Sequence, residues 1–197
     1  MTHDGNKLAL AWSRAATTAL QWLEAGKDVL FLVEGDASTY ATFSHLARTV
    51  HALNNTVSME VIAGINSFTA ACAHATLPLA EQDGTIAIIP ASYGLAKIDR
   101  LLADFDTLVL MKVKPLLDEI LDWLQQRDLL QDSCFAERIG TSDERLLMGT
   151  NMLQLRGEVV NYLSLLIVKN PHRLRENHIH FSPKKNNISA TEKMSDA

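Results

Sequence analysis

The apolar positions change their period several times along the chain, and each change marks an element. Leu8, Trp12, Ala15, Ala16, Ala19, Leu20 and Leu23 recur at three- and four-residue steps, which predicts an amphipathic helix over Leu8–Ala25 ended by Gly26. Five apolar residues then follow without a break, Val29–Val33, too few for a membrane span and too continuous for a strand with one wet face. They predict a strand covered on both sides, as in a parallel sheet flanked by helices. The run stops at Glu34-Gly35-Asp36, and a helical pattern occupies Tyr40–Leu53. A second cycle repeats the first: a strand over Val57–Ile62, the turn Ala63-Gly64-Ile65-Asn66-Ser67, and a helix over Phe68–Ala75. Strand ends of this kind are where open α/β sheets hold ligands, and a glycine there lets backbone approach a bound molecule. Asp36 is suited to accept from hydroxyl or amine groups; Ser38 or Thr39 is placed to cap the first helix, and Asn66 or Ser67 the second.

Leu77-Pro78-Leu79 and the polar AEQDG stretch read as a boundary, after which the alternation starts afresh. Strands are expected at Thr85–Ile89, Thr107–Val113, Phe135–Ile139 and Tyr162–Val168, helices at Leu95–Phe105 and Pro115–Leu130, and a variable loop over Ser142–Glu158. The pattern is α/β: one unit over 1–78, a second over 79–170, and a tail over 171–197 rich in His, Lys, Asn and Ser that is expected to be unstructured.

Charge and composition remove several classes. A formal charge of −5 over 197 residues argues against a nucleic-acid surface. The absence of a long apolar window and of signal-peptide features leads to the expectation of a cytoplasmic protein with no membrane partner. Cys72 and Cys134 lie far apart with no metal-ligand spacing, so two buried thiols are expected and no metal site. His45, His51 and His74 read as surface, interface or packing residues; His172, His178 and His180 of the tail read as solvated.

FLVEGDASTYATFSHL, VIAGINSFTAACAHATLPL, TLVLMKV, FAERIGTSDE and YLSLLIV, in this order and spacing, resemble the tetrapyrrole (corrin/porphyrin) methylase family, and within it the branch that methylates C20 of precorrin-2. The resemblance runs from about Leu8 to Val168. It implies two α/β domains with S-adenosylmethionine bound in the cleft between them. Gly35, Asp36 and Thr39 would line the donor site from the first turn, Asn66 and Ser67 from the second, and Met111 and Gly140 from the other domain; Lys112 and Thr141 are adjacent candidates. Glu137 and Arg138 would form a structural pair. The acceptor would be a precorrin-2-like tetrapyrrole, with or without cobalt, and the chain a homodimer acting in cobalamin biosynthesis. Because the acceptor carries many carboxylates and the chain is acidic, local basic groups such as Arg100, Lys112, Lys114 or Arg138 would have to attract it. The family normally opens with a strand and a GxGPGD-type turn. Neither is found here, so the first domain is expected to be N-terminally truncated, with a non-catalytic scaffold or a methylase for another tetrapyrrole position as alternatives.

Overall fold

The computed structural model describes residues 4–173. Among them the helices are α1 (Gly5–Glu24), α2 (Phe43–Leu53), α3 (Ser67–His74), α4 (Leu95–Leu101) and α5 (Leu117–Gln126). The strands are β1 (Ile86–Pro90), β2 (Thr107–Met111), β3 (Ser133–Glu137), β4 (Arg145–Met148) and β5 (Ser164–Lys169). The fold is α/β with a mixed sheet, of spatial order β1-β2-β5-β3-β4. β1 and β2 are parallel, whereas β5 runs antiparallel to β2 and β3 between which it lies, and β4 is antiparallel to β3. The carboxyl ends of β2 and β3 and the start of β5 therefore meet at one edge of the sheet.

The core explains the continuous apolar runs of the second half. Leu108, Leu110, Phe135, Leu166 and Val168 pack on one face with Ile98 of α4 and Ile120, Leu121 and Leu124 of α5. Their strand neighbours Val109, Cys134, Ala136, Leu165 and Ile167 pack on the other face with Phe68, Ala71 and Cys72 of α3. Successive strand residues point to opposite faces, so a sheet covered on both sides requires apolar residues at every position. Both thiols are free and buried, as expected. Burial pushes the Cys134 thiol up to about 11, with Cys72 adding to the shift, and burial likewise raises Cys72.

The same reasoning fails in the first half. Neither Val29–Val33 nor Val57–Ile62 joins a ladder among the described residues. Leu30, Leu32 and Ile62 are 86%, 88% and 84% exposed, so these runs lack the cover that the expected strands need. α1 and α2 pack beside them: Ala16 and Val50 are buried, Trp12 stacks on His45 at 5.7 Å between ring centroids, and Phe31 meets Phe43 at 5.7 Å. α1 starts earlier than its apolar stripe because Asp4 Oδ1 accepts from the amides of Asn6 and Lys7 at 3.0 and 3.2 Å. α2 starts later than expected, at Phe43; neither Ser38 nor Thr39 caps it, since Ser38 is spent on Asp36.

In the expected loop over Ser142–Glu158, Arg145–Met148 instead forms β4, and Gly149–Leu155 a 3₁₀ turn. No helix among the described residues is long and apolar enough to cross a membrane. His178, His180 and the rest of the tail beyond Arg173 lie outside the described residues.

Candidate functional site at the strand ends

A cavity of about 400 Å³ opens where β2 and β3 end and β5 begins. It lies within the size range of small-molecule sites, at the strand edge where α/β sheets hold ligands. Its walls bring together six of the seven residues assigned from the sequence: Gly35, Asp36, Thr39, Asn66, Ser67 and Met111. Gly140 is not itself in the wall, but its neighbours Ile139 and Thr141 are.

Two turns build one side. Gly35 adopts φ of 80°, a left-handed conformation that L side chains rarely take. The second turn comes so close that a Cβ on Gly64 would stand 2.1 Å from the carbonyl oxygen of Gly35. Asp36 fastens the two turns: one carboxylate oxygen accepts from the Gly64 amide at 2.8 Å, the other from the Ser38 amide at 2.9 Å and from the Ser38 hydroxyl. The Ser38 hydroxyl foremost, then the Gly64 and Ser38 amides, hold the Asp36 carboxyl below the usual carboxylate value. Most of its accepting capacity is thus spent within the protein. Asn66 stands at the N-cap position of α3, but its side chain makes no capping bond, so its amide is available to the cavity it lines.

The other side is made by the ends of the sheet. Lys112 follows β2 with φ of 57°, and Arg138 follows β3 with φ of 52°. Arg138 gives its amide to Leu163 at 2.8 Å and pairs with Asp143 at 2.8 Å. Its expected partner Glu137 pairs with Arg145 at 2.7 Å instead. The reason is geometric: adjacent strand residues face opposite ways, while Arg145 is the cross-strand partner of Glu137. The Gly140 turn is fixed by Glu144, which accepts from the Gly140 amide at 2.8 Å and contacts His74 Nδ1 at 2.8 Å. The His74 bond, then the Gly140 amide, hold the Glu144 carboxyl below its ordinary value.

Of the basic candidates, Lys112 and Arg138 line the cavity, whereas Arg100 turns its Nε back to the Ala96 carbonyl within α4 and Lys114 sits in the turn beyond β2. Tyr40 and Tyr162 also line it and were not assigned from the sequence. Tyr40 belongs to the YATF segment that carries the resemblance; Tyr162 was read only as the start of a strand.

The model of the tetrapyrrole (corrin/porphyrin) methylases matches residues 1–152. The chain belongs to that family. Among its relatives is the cobalt-precorrin-2 C(20)-methyltransferase of Salmonella typhimurium, 33% identical over 131 residues that make up 66% of this chain and 54% of that protein. The probable cobalt-precorrin-2 C(20)-methyltransferase of Methanocaldococcus jannaschii is 31% identical over 169 residues, 86% of this chain and 69% of that protein. The cobalamin biosynthesis protein CobIJ of Mycobacterium tuberculosis is 28% identical over 151 residues, 77% of this chain and 28% of that protein. The chain thus spans between about a quarter and two thirds of the curated relatives it matches. The fold is shared with other tetrapyrrole methyltransferases. The crystal structure of CobJ matches with a TM-score of 0.59 at 20% identity, over 83% of this chain and 73% of that one. The cobalt precorrin-4 methyltransferase CbiF matches with a TM-score of 0.62 at 16% identity, over 79% and 69%.

Proposed function

We propose that the cavity is a methyl-donor site for S-adenosylmethionine, and that the chain methylates C20 of precorrin-2 or cobalt-precorrin-2. The observation that carries the reading is the convergence of Gly35, Asp36, Thr39, Asn66, Ser67 and Met111, drawn from three separate segments, on one hollow. The lining suits such a molecule. Ile65, Met111, Ile139 and Leu163 offer apolar surface for a flat ring, and Thr39, Ser67 and the Asn66 amide offer donors and acceptors for hydroxyl and amino groups. C20 as the position, and precorrin-2 as the acceptor, rest on the names of relatives at about 30% identity.

When bound, the donor supplies a methyl group already attached to a good leaving group. The residues of the chain then have to orient and enclose rather than activate. The two fastened turns hold one wall, and the Gly140 turn and the start of β5 the other. Orientation of this kind contributes roughly 7–11 kcal/mol of barrier reduction in favourable cases.

A second reading, a non-catalytic scaffold, draws on the exposure of Leu30, Leu32 and Ile62, which leaves the wall carrying Gly35 and Gly64 without a sheet behind it. Titration calorimetry separates the two. Saturable binding of S-adenosylmethionine, weakened about tenfold by Asn66→Ala as one polar contact is lost, is expected for the donor site. No heat at millimolar donor leaves the scaffold. Incubation with precorrin-2 and donor, with the new methyl located by NMR, decides the position.

A further inference from the structure

Three residues of the cavity wall that are not glycine hold left-handed backbone: Tyr40 at φ 54°, Lys112 at 57° and Arg138 at 52°. Such conformations are uncommon for these residue types and persist where the surrounding structure over-determines them, often at ligand sites. Here they place charge. The Lys112 ammonium stands 5.7 Å from the centre of the Tyr40 ring, and the Tyr40 hydroxyl donates to the Ile88 carbonyl on β1 at 3.4 Å. The ring therefore steadies the ammonium without neutralising it, and Lys112 makes no ion pair among the described residues. Arg138 commits one guanidinium nitrogen to Asp143 and keeps further N–H donors. β5 separates β2 from β3, so the backbones carrying Lys112 and Arg138 leave the sheet about two strand spacings, roughly 10 Å, apart, and both residues line the cavity with Tyr162 and Leu163.

We propose that Lys112 and Arg138 form a two-cation seat for carboxylates of the tetrapyrrole acceptor, with Tyr40 and Tyr162 beside the macrocycle. This rests on the methyltransferase reading. The charge layout of the cavity favours the assignment: Glu34 and Asp36 line the wall built by the two turns, and Lys112 and Arg138 the wall built by the sheet. A sulfonium donor is attracted to the first and repelled by the second; a polycarboxylate acceptor is the reverse. With a net charge of −5, the chain as a whole repels such an acceptor, so an attractive seat has to be local.

The test uses the full chain, the polycarboxylic uroporphyrin III as acceptor probe followed by its absorbance shift, and S-adenosylmethionine followed by calorimetry. Lys112→Gln and Arg138→Gln are each expected to weaken uroporphyrin about tenfold, the size of one charge-assisted hydrogen bond, and to flatten its salt dependence. Donor affinity is expected to fall by less than uroporphyrin affinity in each variant, and the melting temperature to stay as in the wild type. Arg138→Lys, which keeps the charge and the pair with Asp143, retains part of the affinity. The neutral methyl ester of uroporphyrin should not distinguish Lys112→Gln from wild type. Uroporphyrin bound equally by wild type and variants, or not bound at all, overturns the seat. Donor affinity falling while uroporphyrin is unaffected also overturns it, since the cations would then hold the donor's own carboxylate. Failure of the wild type to bind the donor removes the methyltransferase reading separately, because the porphyrin titration does not depend on it.

Discussion

Gly64 shows how much of the site depends on a side chain that is not there. A methyl group at this position would stand 2.1 Å from the Gly35 oxygen and 3.2 Å from the Asp36 Cα, both backbone atoms that cannot swing aside. Gly64→Ala is expected to part the two turns, cost about 1–3 kcal/mol of stability as other overpacked sites do, and weaken donor binding more than tenfold. Thermal melts and calorimetry on the same sample check both. Asp36 works on the other side of that contact. Its folded pKa lies below the usual value, so the stability it contributes is fully present above the unfolded pKa of about 4 and is lost as pH falls through the depressed folded value. Urea melts of wild type and Asp36→Asn should accordingly differ most near neutrality and converge in acid. A constant difference across that range would mean the charge plays no part. Both residues were visible in the sequence as members of Gly-bearing turns. Their mutual contact was not, because it joins positions 28 residues apart whose spacing no periodicity records.

At the scale of elements, the chain was legible where burial is two-sided and silent where a short hairpin hides in a polar loop. β2 and β5 are legible because Leu108–Met111 and Leu165–Val168 are apolar without a break, and the structure covers both faces of these runs. β4 is not, since Arg145–Met148 is four residues long, preceded by Asp143-Glu144 and followed by Gly149-Thr150-Asn151, all of which read as loop. Yet β4 carries Arg145, which bonds Glu137 at 2.7 Å and Glu158 at 2.7 Å while its guanidinium stands 5.8 Å from the Phe135 ring centre. Glu137 is 7% exposed, so removing Arg145 leaves a buried charge with the Asn161 amide but no cation beside it. Arg145→Leu is expected to cost about 3 kcal/mol by denaturant unfolding. Arg138→Ala, which breaks only an exposed pair with Asp143, should cost less than about 1 kcal/mol. Equal costs would put the strength of this corner elsewhere. The residues proposed for the donor site came from the resemblance, and among them Met111 is the one that ends a strand; Tyr162 precedes a strand running the other way, where no such signal points to it.

The molecule as a whole is lopsided. Its second half is a sheet packed on both faces, and its first half is helices beside two extended apolar runs that water reaches. Contiguous exposed apolar surface drives association, and open strand edges do the same. The native chain is expected to enhance the fluorescence of an apolar dye such as ANS and to associate as its concentration rises. Leu30→Glu with Leu32→Glu should lower both without lowering the melting temperature, as followed by light scattering. A wild type that stays monomeric and dark to the dye would show these runs to be covered in solution. The continuous run Val29–Val33 looks in sequence just like Tyr162–Val168; only the presence of neighbours on either side tells them apart, and that is a property of the assembled sheet.

The meeting of Gly35 with Gly64 has one more result. It cinches the chain into a closed loop whose neck borders the cavity and whose far end, the Asn54-Asn55 bend, lies beyond α2. From α2 to the bend the chain is expected to tolerate lengthening, shortening or exchange for another helix without moving the two glycines, because the neck is tied by Asp36. The loop is in effect a cassette, and the ligand-facing surface takes only Asp36, Thr39 and Tyr40 from its first stretch.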